Sequence, residues 1–202
     1  MINNAERSNI EPEARKRLLE AATALFAERG YAGTSVQGIV VRAGVSKPVL
    51  YYYFKSKAGI FRAILDRAAQ MQEDLLAEIM ETPGTALDRF ILIYRSIYEG
   101  VAEYPDLFRL IHNLLFGPPD AVPSYDLMGF HRRMLNAIQI IYGEGVSRRE
   151  VIETESDEVA MLVMGLLDLC FHHDQLLGGV PDPERPERLL RLAFRGLSAR
   201  AE

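Results

Sequence analysis

The chain has 202 residues, 49% of them hydrophobic, with 23 Lys/Arg against 28 Asp/Glu and a formal net charge of −5. That length suits one two-part domain or two small ones, and the apolar share is ample for a packed core. A single cysteine, Cys170, excludes an intramolecular disulfide and paired-cysteine metal sites. No apolar run approaches the ~18 residues of a membrane helix, and the start MINNAERSNIEPEARK has no signal-peptide apolar region. A cytoplasmic protein without a membrane partner is expected. The charge is unevenly spread: residues 1–57 hold nine Lys/Arg and five Asp/Glu (+4), and the remainder holds 14 and 23 (−9). A basic N-terminal part on an acidic chain hints at nucleic-acid contact.

Residues 1–11 are polar and are expected to fray. Arg15, Lys16 and Arg17 form either a solvated helix face or a contact to a DNA backbone. Leu18, Leu19, Ala22, Leu25 and Phe26 make the apolar stripe of a first helix that ends at Gly30, a C′ glycine.

The stretch from Thr34 to Lys57, TSVQGIVVRAGVSKPVLYYYFKSK, contains two short helices hinged at Ala43-Gly44-Val45-Ser46. Thr34 and Gln37 stand in the relation of a capping box, and Val36, Ile39 and Val40 recur at helical spacing. Gly44 supplies the turn, Ser46 is an N-cap, and Pro48 falls in a first turn where its missing N–H is harmless. Leu50 and Phe54, four apart, can anchor the second helix on the first. Two short helices around a Gly turn describe a helix-turn-helix, whose second helix can enter a major groove. Lys47 and Lys57 each follow a capping Ser, Ser46 or Ser56. At helix starts the macrodipole disfavours a cation unless a phosphate is placed there. Tyr51, Tyr52 and Tyr53 point about 100° apart, so the three rings cannot all be buried on one face.

GYAGTSVQGIVVRAGVSKPVLYYYFKSKAGIF closely resembles the N-terminal DNA-binding signature of the tetracycline-repressor (TetR) family of bacterial regulators. The AGVS turn, the LYYYF block and the following KSK are its specific parts. With helix 1, the resemblance covers the first quarter to third of the chain. Many relatives have Ile-Ala at Ile39-Val40, Gly-Thr at Pro48-Val49 and His at Tyr53. Gly38, inside a helix, costs ~1 kcal/mol relative to Ala. These departures concern base preference, not fold. The resemblance implies a DNA-binding domain over residues 1–57 and a ligand-binding and dimerisation domain over 58–202. Thr34, Ser35, Gln37, Ser46, Lys47, Pro48 and Val49 are then candidates for groove or nearby contacts, and Tyr52, Tyr53 and Lys57 for phosphate contacts.

Beyond the motif the chain reads as further helices. A fourth runs from Phe61 through Ile79 to about Glu81, where Thr82-Pro83-Gly84 stops it. Thr85 restarts a helix carrying Phe90, Ile91, Tyr94 and Tyr98. Pro105 opens the next, through Phe108, His112 and Phe116. After GPPDAVPS an amphipathic segment spans about Tyr125 to Tyr142. Ser156 begins an apolar helix to about Leu177, and GGVPDPERP leads to a last helix near Glu187–Ala199. No period-two pattern persists, so an all-α fold of about nine helices is expected.

Tyr94, Tyr98, Phe108, Phe116, Phe130 and Met134 are either ordinary core or the lining of an apolar ligand cavity between bundle helices. His112 and Asp168 interrupt apolar helices, as satisfied core groups or as ligand contacts. In the resembled family this region binds an inducer. His172-His173 diverge as neighbours on a helix, and Asp168 with His172 lacks a third ligand, so no metal is expected. No cofactor and no catalytic constellation can be assembled, and an enzyme is not expected. The last two helices, with Val159, Leu162, Val163, Leu166, Leu169, Cys170, Leu189, Leu190, Leu192, Phe194 and Leu197, are apolar on more than one face, which requires more than one cover. In the resembled family they pair with their copies in a four-helix dimer interface. The expectation is a homodimeric, ligand-responsive regulator that represses from a palindromic operator on double-stranded DNA and is released by a mainly apolar small-molecule effector. Activation within the same family is an alternative. An apolar-ligand carrier or scaffold without DNA binding is the rival from another class, opposed by the intact Lys47 and Lys57.

Overall fold

The computed structural model describes the backbone of residues 4–117, 122–176, 182 and 184–197, and within these the side chains from residue 13 onward except 171–176 and 197. Among the described residues there are nine helices: α1 Asn4–Arg29, α2 Val36–Ala43, α3 Lys47–Phe54, α4 Lys57–Glu81, α5 Ala86–Glu103, α6 Pro105–Phe116, α7 Met128–Ser147, α8 Ser156–Leu176 and α9 Arg185–Leu197. The fold is all-α, as the periodicity predicts.

Three boundaries differ from the expectation. Helix α1 starts at Asn4 rather than after a frayed stretch to residue 11. Helix α2 starts one residue later than a Thr34/Gln37 box would place it: Ser35 is the N-cap, and its hydroxyl oxygen accepts the Gly38 N–H at 3.0 Å. Thr34 is unavailable for capping because its hydroxyl points inward, toward the carbonyls of Leu25 (3.1 Å) and Gly30 (2.8 Å). Helix α7 continues past Tyr142 through Gly143 and Gly145 to Ser147. A Cβ at Gly145 would lie 2.8 Å from the Ala86 Cβ, so the glycine is there for close approach of α5 and α7, not to end a helix.

The chain forms two compact units, residues Met1–Met71 with Tyr104–Leu127 and residues Gln72–Glu103 with Met128–Glu202. Packing is thus interleaved in sequence, whereas the division by role expected from the sequence is a single cut after Lys57.

In the first unit α1 is central. Leu18, Ala22, Leu25 and Phe26 pack with Ile39 and Val40 of α2, Leu50 and Phe54 of α3, Ile60, Phe61, Ile64 and Leu65 of α4, and Leu110 of α6. Each such leucine or phenylalanine contributes roughly 1.5–3 kcal/mol when fully buried. Phe26, Tyr31 and Phe61 form an aromatic triangle with ring centroids 5.0–5.7 Å apart.

The second unit is a bundle of α5, α7, α8 and α9 around Phe90, Ile93, Tyr94, Ile138, Ile141, Tyr142, Val159, Val163, Leu190 and Phe194. The Phe90 and Phe194 rings meet at 5.4 Å. The Tyr142 hydroxyl ties down the α7–α8 connection by donating to the Ile152 carbonyl (2.9 Å) and accepting the Thr154 N–H (2.7 Å). Helix α5 opens on a reciprocal box: Thr85 Oγ1 accepts the Asp88 N–H and the Asp88 carboxylate accepts the Thr85 N–H. Hydrogen bonds from Thr85 hold the Asp88 carboxyl below its ordinary range.

One charge sits inside this bundle. Arg89 is 2% exposed, its guanidinium donates to Glu144 Oε2 at 2.7 Å, and its Nε has no hydrogen-bond partner among the described residues. Glu144 is far more exposed and also meets Arg148 at 3.3 Å. Removing one partner of such a pair costs most when the charge left behind is the buried one. Glu144→Ala is therefore expected to destabilise by about 2–4 kcal/mol, more than Arg89→Met, which leaves only a solvated carboxylate. Urea unfolding of both variants checks the order; a larger loss for Arg89→Met would show that packing of the arginine stem outweighs the ion pair.

Candidate nucleic-acid interface

Helix α3 is mounted by two side chains. Leu50 and Phe54, one turn apart, are buried against α1 and α4, with Val49 and Tyr53 half-buried beside them, which leaves the face of Lys47, Pro48, Tyr51 and Tyr52 to solvent. Ser46 precedes it in extended conformation (φ −92°) without a side-chain cap bond, and Pro48 lies in the first turn. The turn before it is set by Gly44 at φ +63°, whose N–H reaches Val41 O while the Val45 N–H reaches Val40 O. After α3 the chain turns sharply at Lys55 (φ +65°), and Ser56 caps α4 by accepting the Gly59 N–H at 2.9 Å.

The solvent side of this motif carries Ser35, Gln37, Ser46, Lys47, Pro48, Tyr51, Tyr52 and Lys55 as exposed residues, with Val49 and Tyr53 half-buried. Tyr52 is 64% exposed, and its ring meets that of Tyr53 edge-on at 5.0 Å. Sequence reasoning missed Lys55. Its ammonium donates to the Tyr52 carbonyl at 3.1 Å and lies 6.0 Å from the Tyr52 ring. The signal that could have found it is its place at the C-cap of the helix, where a cation also suits the dipole.

Two residues expected at the contact surface are turned inward in this structure. Thr34 is 3% exposed with its hydroxyl turned to Leu25 and Gly30, so it lies beneath the surface and not on it. Lys57 is half-buried, and its ammonium donates to the Tyr31 and Thr34 carbonyls at 2.8 and 2.9 Å.

Helix α1 adds cations beside the motif. The Arg15 guanidinium stacks 5.6 Å from the Phe54 ring, and an Arg17 nitrogen lies 3.6 Å from where a Cβ on Gly44 would be. Arg42 is spent elsewhere: it pairs with Glu28 at 2.7 Å, and that bond holds the Glu28 carboxyl below the usual carboxylate range.

The residues singled out for a ligand divide between the units. Tyr94, Tyr98, Phe130 and Met134 are buried and Asp168 is half-buried in the second unit; Phe108, His112 and Phe116 lie on α6 of the first. Around Tyr94 the structure brings together Cys170, Asp168 and Tyr98. The Tyr94 hydroxyl donates to the Val163 carbonyl, and burial first of all pushes its ionisation well above the ordinary range. On α6 the His112 and Phe116 rings lie 5.2 Å apart, with Phe116 51% exposed. The side chains of His172 and His173 lie outside the described residues; among those described, no cluster of three or more His, Cys, Asp or Glu is placed to hold a metal. Among the described residues, no helix is long and apolar enough to cross a membrane.

The apolar residues of α8 and α9 separate into two sets. Val159, Val163, Cys170, Leu190 and Phe194 are buried in their own unit, whereas Met161 (71%), Leu162 (40%), Leu169 (59%) and Leu192 (63%) face solvent. Gly165 and Gly196 are exposed too, with open space where a Cβ would be.

A sequence profile of "Bacterial regulatory proteins, tetR family" matches residues 18–64. The HTH-type transcriptional repressor Rv3405c of Mycobacterium tuberculosis is 30% identical over 135 residues, 62% of this chain and 69% of that protein. The HTH-type transcriptional activator FasR of Mycolicibacterium smegmatis is 49% identical over 99 residues, 49% of this chain and 45% of that protein. Among solved structures, the transcriptional regulator FadR from Bacillus subtilis in complex with stearoyl-CoA superposes with a TM-score of 0.70 at 21% identity, over 90% of this chain and 98% of that one. The buried anchors Leu50 and Phe54, the left-handed Gly44 turn and the matched span coincide on one segment, and the chain belongs to the TetR family of bacterial regulatory proteins.

Proposed function

We propose that the protein is a homodimeric transcriptional repressor that leaves a palindromic operator when a mainly apolar small molecule binds it. The observation that carries the DNA reading is the display of Lys47, Pro48, Tyr51, Tyr52 and Lys55 along a short helix whose buried anchors are Leu50 and Phe54. A helix with a purely structural task has no reason to expose two adjacent tyrosines flanked by lysines. Pro48 and Val49 face bases at the N-terminal end of the recognition helix, Lys47 neutralises a phosphate at the edge of the groove, and Ser35, Gln37 and Ser46 stand beside them. Tyr52, Tyr53 and Lys55 hold phosphates and fix register.

Dimerisation follows from the second, exposed set on α8 and α9. Met161, Leu162, Leu169 and Leu192 would otherwise leave large apolar side chains of both helices in water. Gly165 and Gly196 on these helices allow a partner helix to approach closely. Two copies would then present recognition helices to successive major grooves, about 34–36 Å apart.

The effector reading rests on Tyr94, Tyr98, Phe130, Met134 and Asp168 of the second unit, and, taken separately, on Phe108, His112 and Phe116 along α6 of the first. Few polar groups stand among them, which suits an acyl chain or another mainly apolar molecule; the stearoyl-CoA held by FadR supports that class. Ligand must favour the DNA-incompetent state, since equal affinity for both would shift nothing. Rv3405c, a repressor, supports repression, and FasR, an activator, favours the second reading, activation from the same operator geometry. Footprinting and transcription from the promoter beside the gene decide between them.

Three outcomes are expected. Lys47→Ala should weaken binding to a wild-type-selected duplex and lower the salt slope by about one unit, read from affinities across a salt series. An unchanged slope would remove Lys47 from the phosphate or groove contacts.

Leu192→Glu should dissociate the dimer at micromolar concentration while leaving helical content intact, as read by sedimentation and circular dichroism. Phe194→Glu should instead unfold the second unit, because that ring is 3% exposed against Phe90 in its own protomer. A dimeric Leu192→Glu protein would move the interface elsewhere.

His112→Leu keeps bulk and removes the polar ring atoms. It should leave operator affinity unchanged and raise the concentration of stearoyl-CoA needed for release severalfold, for the loss of one hydrogen bond of ~1 kcal/mol. Equal release midpoints would return His112 to the core.

A further inference from the structure

Lys57 is the first residue of α4, a position where the helix macrodipole disfavours a cation. Its ammonium is nonetheless ordered by three partners on the α1–α2 loop. It donates to the Tyr31 carbonyl at 2.8 Å and the Thr34 carbonyl at 2.9 Å, and lies 4.1 Å from the centroid of the Tyr31 ring. That ring is itself fixed, stacked on Phe26 and edge-on to Phe61. Thr34 is fixed from the other side by its hydroxyl, which bonds back into α1 and the Gly30 carbonyl. The residue after Thr34 is Ser35, the N-cap of α2.

We infer that Lys57 is a positioning residue: its ammonium joins the first turn of α4 to the loop that starts α2, and so sets where α2 begins in the DNA-reading motif. Two of its three donors are directed at backbone carbonyls, and the ring covers a further side of the charge. A surface lysine that serves phosphate would extend outward; this one is drawn in across 23–26 residues of sequence to close the motif. Displacement of the α4 start is passed to the α2 cap through these bonds, because neither carbonyl can follow one partner without losing the other. Lys47 and Lys55, both exposed, are left to neutralise phosphates.

The inference rests on the DNA-binding reading above, and its test has one arm that needs no DNA. The full-length protein, Lys57→Met and Lys57→Arg are compared by amide hydrogen exchange without DNA, and by affinity for a wild-type-selected duplex across a salt series. Lys57→Met should accelerate exchange at the amides of Gly38 and Ile39, the first caps of α2, and lower affinity about tenfold, the loss of charge-assisted hydrogen bonds, with the salt slope unchanged. Lys57→Arg keeps the charge but cannot place a planar fork on both carbonyls under the ring, so it should follow Lys57→Met. A slope lowered by one unit with exchange unaltered, or full affinity in Lys57→Arg, would make Lys57 a phosphate contact and overturn the inference. Should the wild type select no duplex, the DNA reading fails, and the exchange arm alone decides whether the joint exists.

Discussion

The short loop between α1 and α2 is the constraint on which the reading head depends. Its carbonyls would be costly to leave without donors, and they are satisfied from inside the molecule: by Thr34 through its hydroxyl and by Lys57 through its ammonium. Once the loop is fixed, Ser35 has one place to cap α2, Gly44 turns the chain, and Leu50 and Phe54 can seat α3 only one way round. The seating of α3 uses Leu50 and Phe54, which no longer face solvent, while Lys47, Pro48, Tyr51, Tyr52 and Lys55 remain outside.

The cations of the first unit show the same division. Arg42 is neutralised by Glu28, Arg15 lies over the Phe54 ring and Lys57 is drawn under the loop, so the positive balance of the first 57 residues overstates the charge presented at the surface. Lys47 and Lys55 flank the exposed tyrosines, at opposite ends of one helix. A narrow pair of charges suits the orientation of a helix in a groove better than a broad basic patch would. Among the described residues of the second unit the one buried guanidinium, Arg89, is answered by a single carboxylate, and its Nε has no hydrogen-bond partner there.

Much of this architecture was legible in the sequence. Helix periods, the Gly44 turn, the Ser56 cap, the N-cap position of Ser46 (though without a side-chain cap bond) and the Leu50/Phe54 anchors are local properties, written in residues next to one another. Contacts made across long separations were not legible. Thr34 looked like a cap because Gln37 follows three residues later, yet carbonyls nine and four residues upstream claim its hydroxyl. Lys57 looked like a phosphate ligand because it opens a helix, and its acceptors lie more than twenty residues away. On α8 and α9 the pattern showed too many apolar faces but could not say which face was inward. Phe194 and Leu192 lie two positions apart, and only packing against Phe90 separates the core ring from the solvent-facing leucine. The expected end near Tyr142 missed the last turn of α7, where Gly145 lets α7 come close to Ala86.

The corner between α3 and α4 leaves no room for change. A Cβ on Gly59 would fall 1.8 Å from the Phe54 carbonyl oxygen, so any side chain there would force the two helices apart. Lys47, Pro48, Tyr51 and Tyr52, by contrast, are exposed side chains of the helix that carries them. On the proposed reading, mutation there rewrites which duplex is recognised while the bracket beneath stays invariant. Descendants of such a chain could diverge in target far faster than in shape, and new specificities would arise without passing through an unfolded intermediate sequence.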